Sequence, residues 1–323
     1  MAEGKRKLFA TQTEPERVFL VGVASKASTD GWSATDSLAE LAYLARTANA
    51  AVVGELVQKL DAPSPSHYIG RGKLDELRSL REQVQYDTVV FDDDLSPRQQ
   101  RNLEEALEVK VIDRTALILD IFARHARTRE GQLQVELAQH QYLLPRLVGQ
   151  WGHLERLGGG IGTRGPGESQ LETDRRLINK RISRLKREIE EVSRHRDLYR
   201  KRRRERGVPV VALVGYTNAG KSTLFNALGK ASMVVEDALF STLDPVTRRF
   251  ALPRGQQFLI TDTVGFIHKL PTLLIAAFRA TLEELGEASL LLHVVDIMHR
   301  NAAHQCHTVE EMLKELHLSL IHI

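Results

Sequence analysis

The stretch Val208-Pro-Val-Val-Ala-Leu-Val-Gly-Tyr-Thr-Asn-Ala-Gly-Lys-Ser-Thr223 constrains this chain more than any other. Its run from Val210 to Val214 is short, apolar and largely β-branched, and it stops at a glycine, which is the pattern of a buried strand. The next eight residues, Gly215, Tyr216, Thr217, Asn218, Ala219, Gly220, Lys221 and Ser222, complete the spacing G-x-x-x-x-G-K-[ST]. From Lys221 onward the residues suit a helix, with Leu224, Phe225 and Leu228 on one face. Glycines let backbone N–H groups close round phosphate oxygens, and the helix N-terminus adds the positive end of its dipole. Lys221 is expected to reach the β- and γ-phosphates, and the Ser222 hydroxyl to ligate Mg²⁺. The stretch predicts a nucleotide phosphate site.

Upstream, apolar runs alternate with helical patterns. Val18–Ala24, Ala51–Val57, Thr88–Phe91 and Val109–Ile112 read as strands, and Ser37–Thr47, Gly72–Gln83 and Ala116–Ala126 as helices. Ser96-Pro97 opens a further helix, with Ser96 as N-cap and Pro97 at the first position. Such alternation predicts an α/β domain with a parallel sheet over residues 17–126. Gly70-Arg-Gly-Lys73 is too short for a phosphate loop, and Asp92-Asp93-Asp94 is expected to be a solvated loop.

Beyond Gly131 the pattern changes. Leu133, Leu137, His140 and Leu144 recur on one helical face, and residues 149–167 then hold eight glycines in nineteen positions. Leu171, Ile178, Ile182, Leu185, Ile189 and Val192 follow at coiled-coil spacing. An antiparallel helical hairpin over 127–206, with the glycine-rich loop at its tip, accounts for both halves. From Glu168 to Arg206 there are fifteen Lys/Arg and eight Asp/Glu, a local net of +7. Arginine pairs bidentately with phosphate and stacks on bases, so Arg156 and Arg164 at the tip and Arg202, Arg203 and Arg204 at the far end are candidate RNA contacts.

Residues 207–323 read as the nucleotide domain. Phe240, Ser241, Thr242, Leu243 and Asp244 form a turn-prone segment about twenty residues past the loop, where a switch threonine completes Mg²⁺ coordination. Thr242 is the candidate and Thr247 the runner-up. Asp262, Thr263, Val264 and Gly265 form D-x-x-G at the end of a strand. Asp262 would hold Mg²⁺ through water, and the Gly265 N–H the γ-phosphate. The order points to a switch-type GTPase, with a phosphate-loop ATPase or a catalytically dead RNA-binding fragment as alternatives. After Gly265 stands Phe266, where a glutamine would orient the attacking water, so no catalytic residue is assigned and slow unaided hydrolysis is expected. Asn218 either helps hold a monovalent cation such as K⁺ or simply tolerates the loop's backbone angles. Leu290–Val295 reads as another strand and Val309–Leu316 as a helix. No N-K-x-D motif occurs in the 323 residues, which predicts a truncated nucleotide domain with weak guanine discrimination.

Together, Gly215–Ser222, Phe240–Asp244, Asp262–Phe266 and the tip Gly158–Glu168 followed by Gln170–Arg176 resemble the HflX GTPases, from about Val18 to Leu316. The resemblance implies GTP and GDP as ligands, and Ser222 and Thr242 as Mg²⁺ ligands. It also implies binding to the large ribosomal subunit and its rRNA, with dissociation of stalled ribosomes under stress. Composition fits a soluble cytoplasmic protein, and a monomer is expected. Cys306 is the one cysteine, no apolar h-region follows the basic N-terminus, and no run approaches the ~20 apolar residues of a membrane span.

Overall fold

The computed structural model describes residues 15–25, 32–147, 166–205, 207–229, 239–240, 242–253, 255–275, 285–286, 288–316 and 318; within 166–205, side chains are described for 172–194. The first sheet is formed by β1 (Arg17–Ser25), β2 (Ala51–Leu60), β3 (Thr88–Phe91) and β4 (Lys110–Asp113). Their order is β2-β1-β3-β4 and every pairing is parallel, as the strand–helix alternation implied. Helices α1 (Ala34–Thr47), α2 (Arg71–Val84), α3 (Pro97–Leu107) and α4 (Arg114–His125) pack on it. Local chemistry starts α3 where expected, while α1 begins three residues and α4 two residues ahead of the expected starts at Ser37 and Ala116. Ser96 and Gln99 close a capping box ahead of α3 with Pro97 at its first turn, and Asp113 caps α4 through the Ala116 N–H.

Helices α5 (Arg129–Leu143) and α6 (Pro166–Glu205) run antiparallel, since Arg129 pairs with Glu188 and Glu136 with Arg181. Leu133 and Leu137 of α5 bury Ile182 and Leu185 of α6, with Ile178, Ile189 and Val192 flanking them. The tip, with Arg156 and Arg164, lies outside the described residues, as do the side chains of Arg202, Arg203 and Arg204 near the end of α6.

The second sheet, ordered β6-β7-β5-β8, combines β5 (Val210–Gly215), β6 (Val246–Ala251), β7 (Gln257–Asp262) and β8 (Leu290–Val294). Strands β7, β5 and β8 are parallel, while β6 is antiparallel to β7. Strand β6 escapes a reading for apolar runs because Thr247, Arg248 and Arg249 interrupt its sequence, VTRRFA. Phe250 anchors it, edge-on to Phe225 and tilted against Phe258. Helices α7 (Lys221–Gly229) and α8 (Ala302–Glu315) also belong to this region.

Each sheet has a cluster of its own on one face, with Phe19, Leu77 and Phe91 in the first and Leu213, Phe225 and Ile260 in the second, but their other faces share one core. One apolar cluster runs from Leu38, Leu44 and Phe122 into Val214, Phe240, Phe266 and Val309. Side chains 172–194 of α6 pack on α5, in a small cluster of their own, so the segments from 17–126 and 207–323 share one interior while the hairpin extends from it. That shared interior determines how the nucleotide segments are held.

Candidate functional site

Strand β5 delivers the chain to Gly215, where a Cβ would strike the carbonyl oxygen of Val294 on β8, so only glycine fits. The loop turns through Gly220 at φ +90° and enters α7 at Lys221. Lys221 is 5% exposed, and its Nζ donates to the carbonyls of Tyr216 (2.8 Å) and Gly215 (3.3 Å). Burial lowers its pKa to about 8, only partly opposed by Asp262. A buried ammonium with no ion-pair partner among the described residues is poised for an anion, and Thr217, Ser222 and Thr242 line the same recess.

Three oxygen-bearing side chains from separate segments meet beside it. Ser222 Oγ donates to Asp262 Oδ2 at 2.6 Å, Thr242 Oγ1 donates to the same oxygen at 3.2 Å, and the two hydroxyls lie 2.9 Å apart. The second carboxylate oxygen, Asp262 Oδ1, is buried without a hydrogen-bond partner, and burial raises the Asp262 pKa. Two hydroxyls and a carboxylate form a hard-oxygen set that suits Mg²⁺ completed by phosphate and water. Among the described residues no group of three or more His, Cys, Asp or Glu gathers as a metal site. Thr247, the alternative switch threonine, pairs instead with Thr261 on the β6–β7 ladder. Gly265 lies so close to the loop that a Cβ would sit 2.5 Å from Thr217 Cα.

Several candidate nucleotide residues have side chains engaged elsewhere. Tyr216 donates its hydroxyl to Glu40 of α1 and accepts the His268 N–H at 2.8 Å. Phe240 turns its ring edge-on to Phe122 of α4, Leu243 and Val264 join the core, and Thr263 Oγ1 donates to the Leu213 carbonyl. Asp244 is engaged in the same way. Its carboxylate accepts the N–H groups of Arg127 (2.7 Å) and Thr128 (2.8 Å) and the Thr128 hydroxyl, at the start of α5 and away from the phosphate recess. Ser241 lies outside the described residues. Asn218 sits at φ +59° with Nδ2 directed to the Tyr43 hydroxyl at 3.3 Å, and Ala219 is half-buried behind it. Phe266 is 2% exposed, and its backbone pairs with the phosphate loop while its ring fills the core.

The solvated loop expected at Asp92-Asp93-Asp94 is overturned at its first member. Asp92 is 2% exposed and bound to Arg114 (2.8 Å), Lys269 (2.6 Å) and Ser37 (2.6 Å). Burial pushes its pKa up, but Arg114 and Lys269 outweigh that and hold it below the usual carboxylate range. Arg114, 1% exposed, also pairs with Glu40 at 2.6 Å and donates to the His268 carbonyl at 3.0 Å. Desolvation raises the Glu40 pKa despite that partner. Trp32 stacks on His268 with ring centroids 4.7 Å apart. This buried network clamps residues 266–269, just past D-x-x-G, onto the first sheet's helices. No local pattern in the sequence marks Glu40, Arg114 or Lys269.

A phosphate loop on β5, a hydroxyl–hydroxyl–carboxylate set from three segments and D-x-x-G at the end of β7 define a phosphate-loop GTPase. The chain matches the families described as GTP-binding GTPase N-terminal over residues 35–123, GTP-binding GTPase Middle Region over 125–203 and 50S ribosome-binding GTPase over 210–322. It is 53% identical over 303 residues to GTPase HflX of Caldanaerobacter subterraneus, covering 94% of this chain and 70% of that protein. GTPase HflX of Alkalihalophilus pseudofirmus is also 53% identical, over 94% of this chain and 72% of its own length. A crystal structure of a GTP-binding protein from the archaeon Sulfolobus solfataricus with GDP aligns over 94% of this chain and 79% of its own, at 25% identity and TM-score 0.47. The chain belongs to the HflX family of GTPases. No described helix is long and apolar enough to cross a membrane.

Proposed function

We propose that this protein binds GTP with Mg²⁺ and hydrolyses it on the large ribosomal subunit, to dissociate stalled ribosomes in the cytoplasm under stress. The observation that carries the nucleotide part is the meeting of Ser222, Thr242 and Asp262 beside buried Lys221. In this reading Lys221 would exchange its two carbonyl contacts for phosphate oxygens, and Ser222, Thr242 and, through water, Asp262 would hold the metal. Bound Mg²⁺ supplies charge neutralisation at the β/γ oxygens. Phe266 is locked in the core and leaves the attacking water without a protein orienter at that position. Hydrolysis therefore rises when a partner supplies the missing group. Support for a ribosomal partner comes from the net +7 on residues 168–206 and from the match of residues 210–322 to the 50S ribosome-binding GTPase family. A K⁺ ion held by Asn218 belongs to the same reading and is checked by comparing turnover in K⁺ and Na⁺.

The test measures GTP and ATP hydrolysis with and without large subunits, alongside subunit binding at several salt concentrations. Wild-type turnover of GTP should rise on adding subunits, and Lys221→Ala should abolish triphosphate binding. Replacing Arg202, Arg203 and Arg204 with glutamine should flatten the log–log salt slope by roughly 0.7 to 0.9 per lost phosphate contact. Turnover indifferent to subunits, or triphosphate binding unchanged in Lys221→Ala, would sink the proposal.

A further inference from the structure

The loop carrying Thr242 is anchored on both sides, and neither anchor belongs to the nucleotide domain alone. Two residues before it, Phe240 is buried against Phe122 of α4, with ring centroids 4.7 Å apart at 87°. Phe240 is held at φ +58°, a conformation uncommon for a bulky residue and maintained only where its surroundings impose it. Its N–H donates to Thr217 Oγ1 of the phosphate loop at 2.9 Å. Two residues after Thr242, the Asp244 carboxylate receives the Arg127 and Thr128 N–H groups and the Thr128 hydroxyl. Thr128 is the N-cap of α5, and its Oγ1 accepts the Gly131 N–H at 3.0 Å. Gly131 leaves the carboxylate its space, because a Cβ there would collide with Asp244 Oδ1. The anion also sits at the positive end of a 15-residue helix.

We propose that the α4–α5 junction positions the metal ligand Thr242, with Asp244 as the positioning residue, so that filling the phosphate site and setting the first helix of the hairpin are one linked equilibrium. The proposal rests on the Mg²⁺–triphosphate reading of the site. Two residues span at most about 7 Å, so Thr242 cannot follow a metal far without pulling on Asp244 or Phe240. Linkage is reciprocal. A ligand that draws Thr242 inward shifts the start of α5, and a partner that moves α5 changes metal and nucleotide affinity by the same factor. A plain helix cap at Asp244 would stabilise α5 equally with or without nucleotide.

Hydrogen exchange on the full chain, with and without Mg²⁺ and a non-hydrolysable GTP analogue, separates these cases. In the wild type, protection should change both in the phosphate loop (215–223) and at the start of α5 (127–131). In Asp244→Ala the phosphate loop should still respond while 127–131 does not, and half-maximal binding should need about tenfold more Mg²⁺. Asp244→Asn, which keeps a backbone acceptor, should recover part of both effects. Gly131→Ala presses a methyl group onto Asp244 without altering the loop, and should raise the Mg²⁺ requirement in the same direction. A wild-type response confined to the phosphate loop overturns the coupling alone. So does an unaltered 127–131 response in Asp244→Ala. Silence in both segments overturns the phosphate-site reading and the coupling with it.

Discussion

Arg114→Met tests whether the buried ion network holds the two sheets together. The guanidinium contacts Glu40 at 2.6 Å, Asp92 at 2.8 Å and the His268 carbonyl at 3.0 Å. Asp92 would retain Lys269 and Ser37, each at 2.6 Å, so the uncompensated charge falls on Glu40, left with the Tyr216 hydroxyl. Removing one partner of a buried pair costs about 3–5 kcal/mol. Glu40 has a way out, because desolvation already raises its pKa and losing Arg114 raises it further. Holding a glutamic acid neutral at pH 7 costs about 3.7 kcal/mol against an ordinary pKa near 4.3, which caps its share of the loss. The sign follows from proton binding. The folded variant keeps a proton that the unfolded chain releases above pH ~4.3, so its stability falls as pH rises from there towards the folded pKa. Expected destabilisation is therefore at most about 4 kcal/mol at pH 7 and smaller at pH 5, with part of the pH dependence shared by the wild type, whose own Glu40 pKa is raised. Urea unfolding at both pH values, followed by tryptophan fluorescence, reads this directly, since Trp32 stacks on His268 at the interface. Adding Glu40→Gln should recover about 2 kcal/mol or more at pH 7. A loss under about 1 kcal/mol, or one independent of pH, would refute the assignment of Glu40 as the stranded charge.

Lys221, with its pKa lowered to about 8, makes the nucleotide-free protein gain stability between about pH 8 and its ordinary 10.5, where the unfolded chain binds the extra proton. Phosphate favours the charged form, so GTP binding at pH 9 should take up a proton, detectable by calorimetry in buffers of different ionisation enthalpy; zero uptake contradicts a phosphate-bound Lys221. Gly265→Ala would put a methyl carbon 2.5 Å from Thr217 Cα, and should weaken GTP binding at least tenfold with a stability loss of about 1–3 kcal/mol. Wild-type affinity in a nucleotide titration would mean that the loop and D-x-x-G can separate freely.

Short-range patterns were enough for the α/β class, the parallel first sheet, the phosphate loop and the coiled-coil seam. The physics there is local. Gly215–Ser222 forms a phosphate loop because eight consecutive residues dictate its backbone, and Ser96-Pro97 starts α3 because a cap acts within one turn. Ile182 and Leu185 face α5 because helical periodicity dictates which residues share a side. The nucleotide candidates Tyr216 and Asp244 lay on legible motifs, yet their side chains go to Glu40, 176 residues away, and to Thr128, 116 away. Asp92 finds Lys269 across 177 positions and becomes a buried anchor where its acidic neighbours suggest solvent. A carboxylate's destination depends on which donor the fold brings within about 3 Å and on how completely water is excluded there. Neither quantity is encoded in neighbouring residues. The tertiary structure alone decided that the segments flanking D-x-x-G and Thr242 are held by helices from outside the nucleotide sheet, because only packing joins α1, α4 and α5 to that sheet in one core.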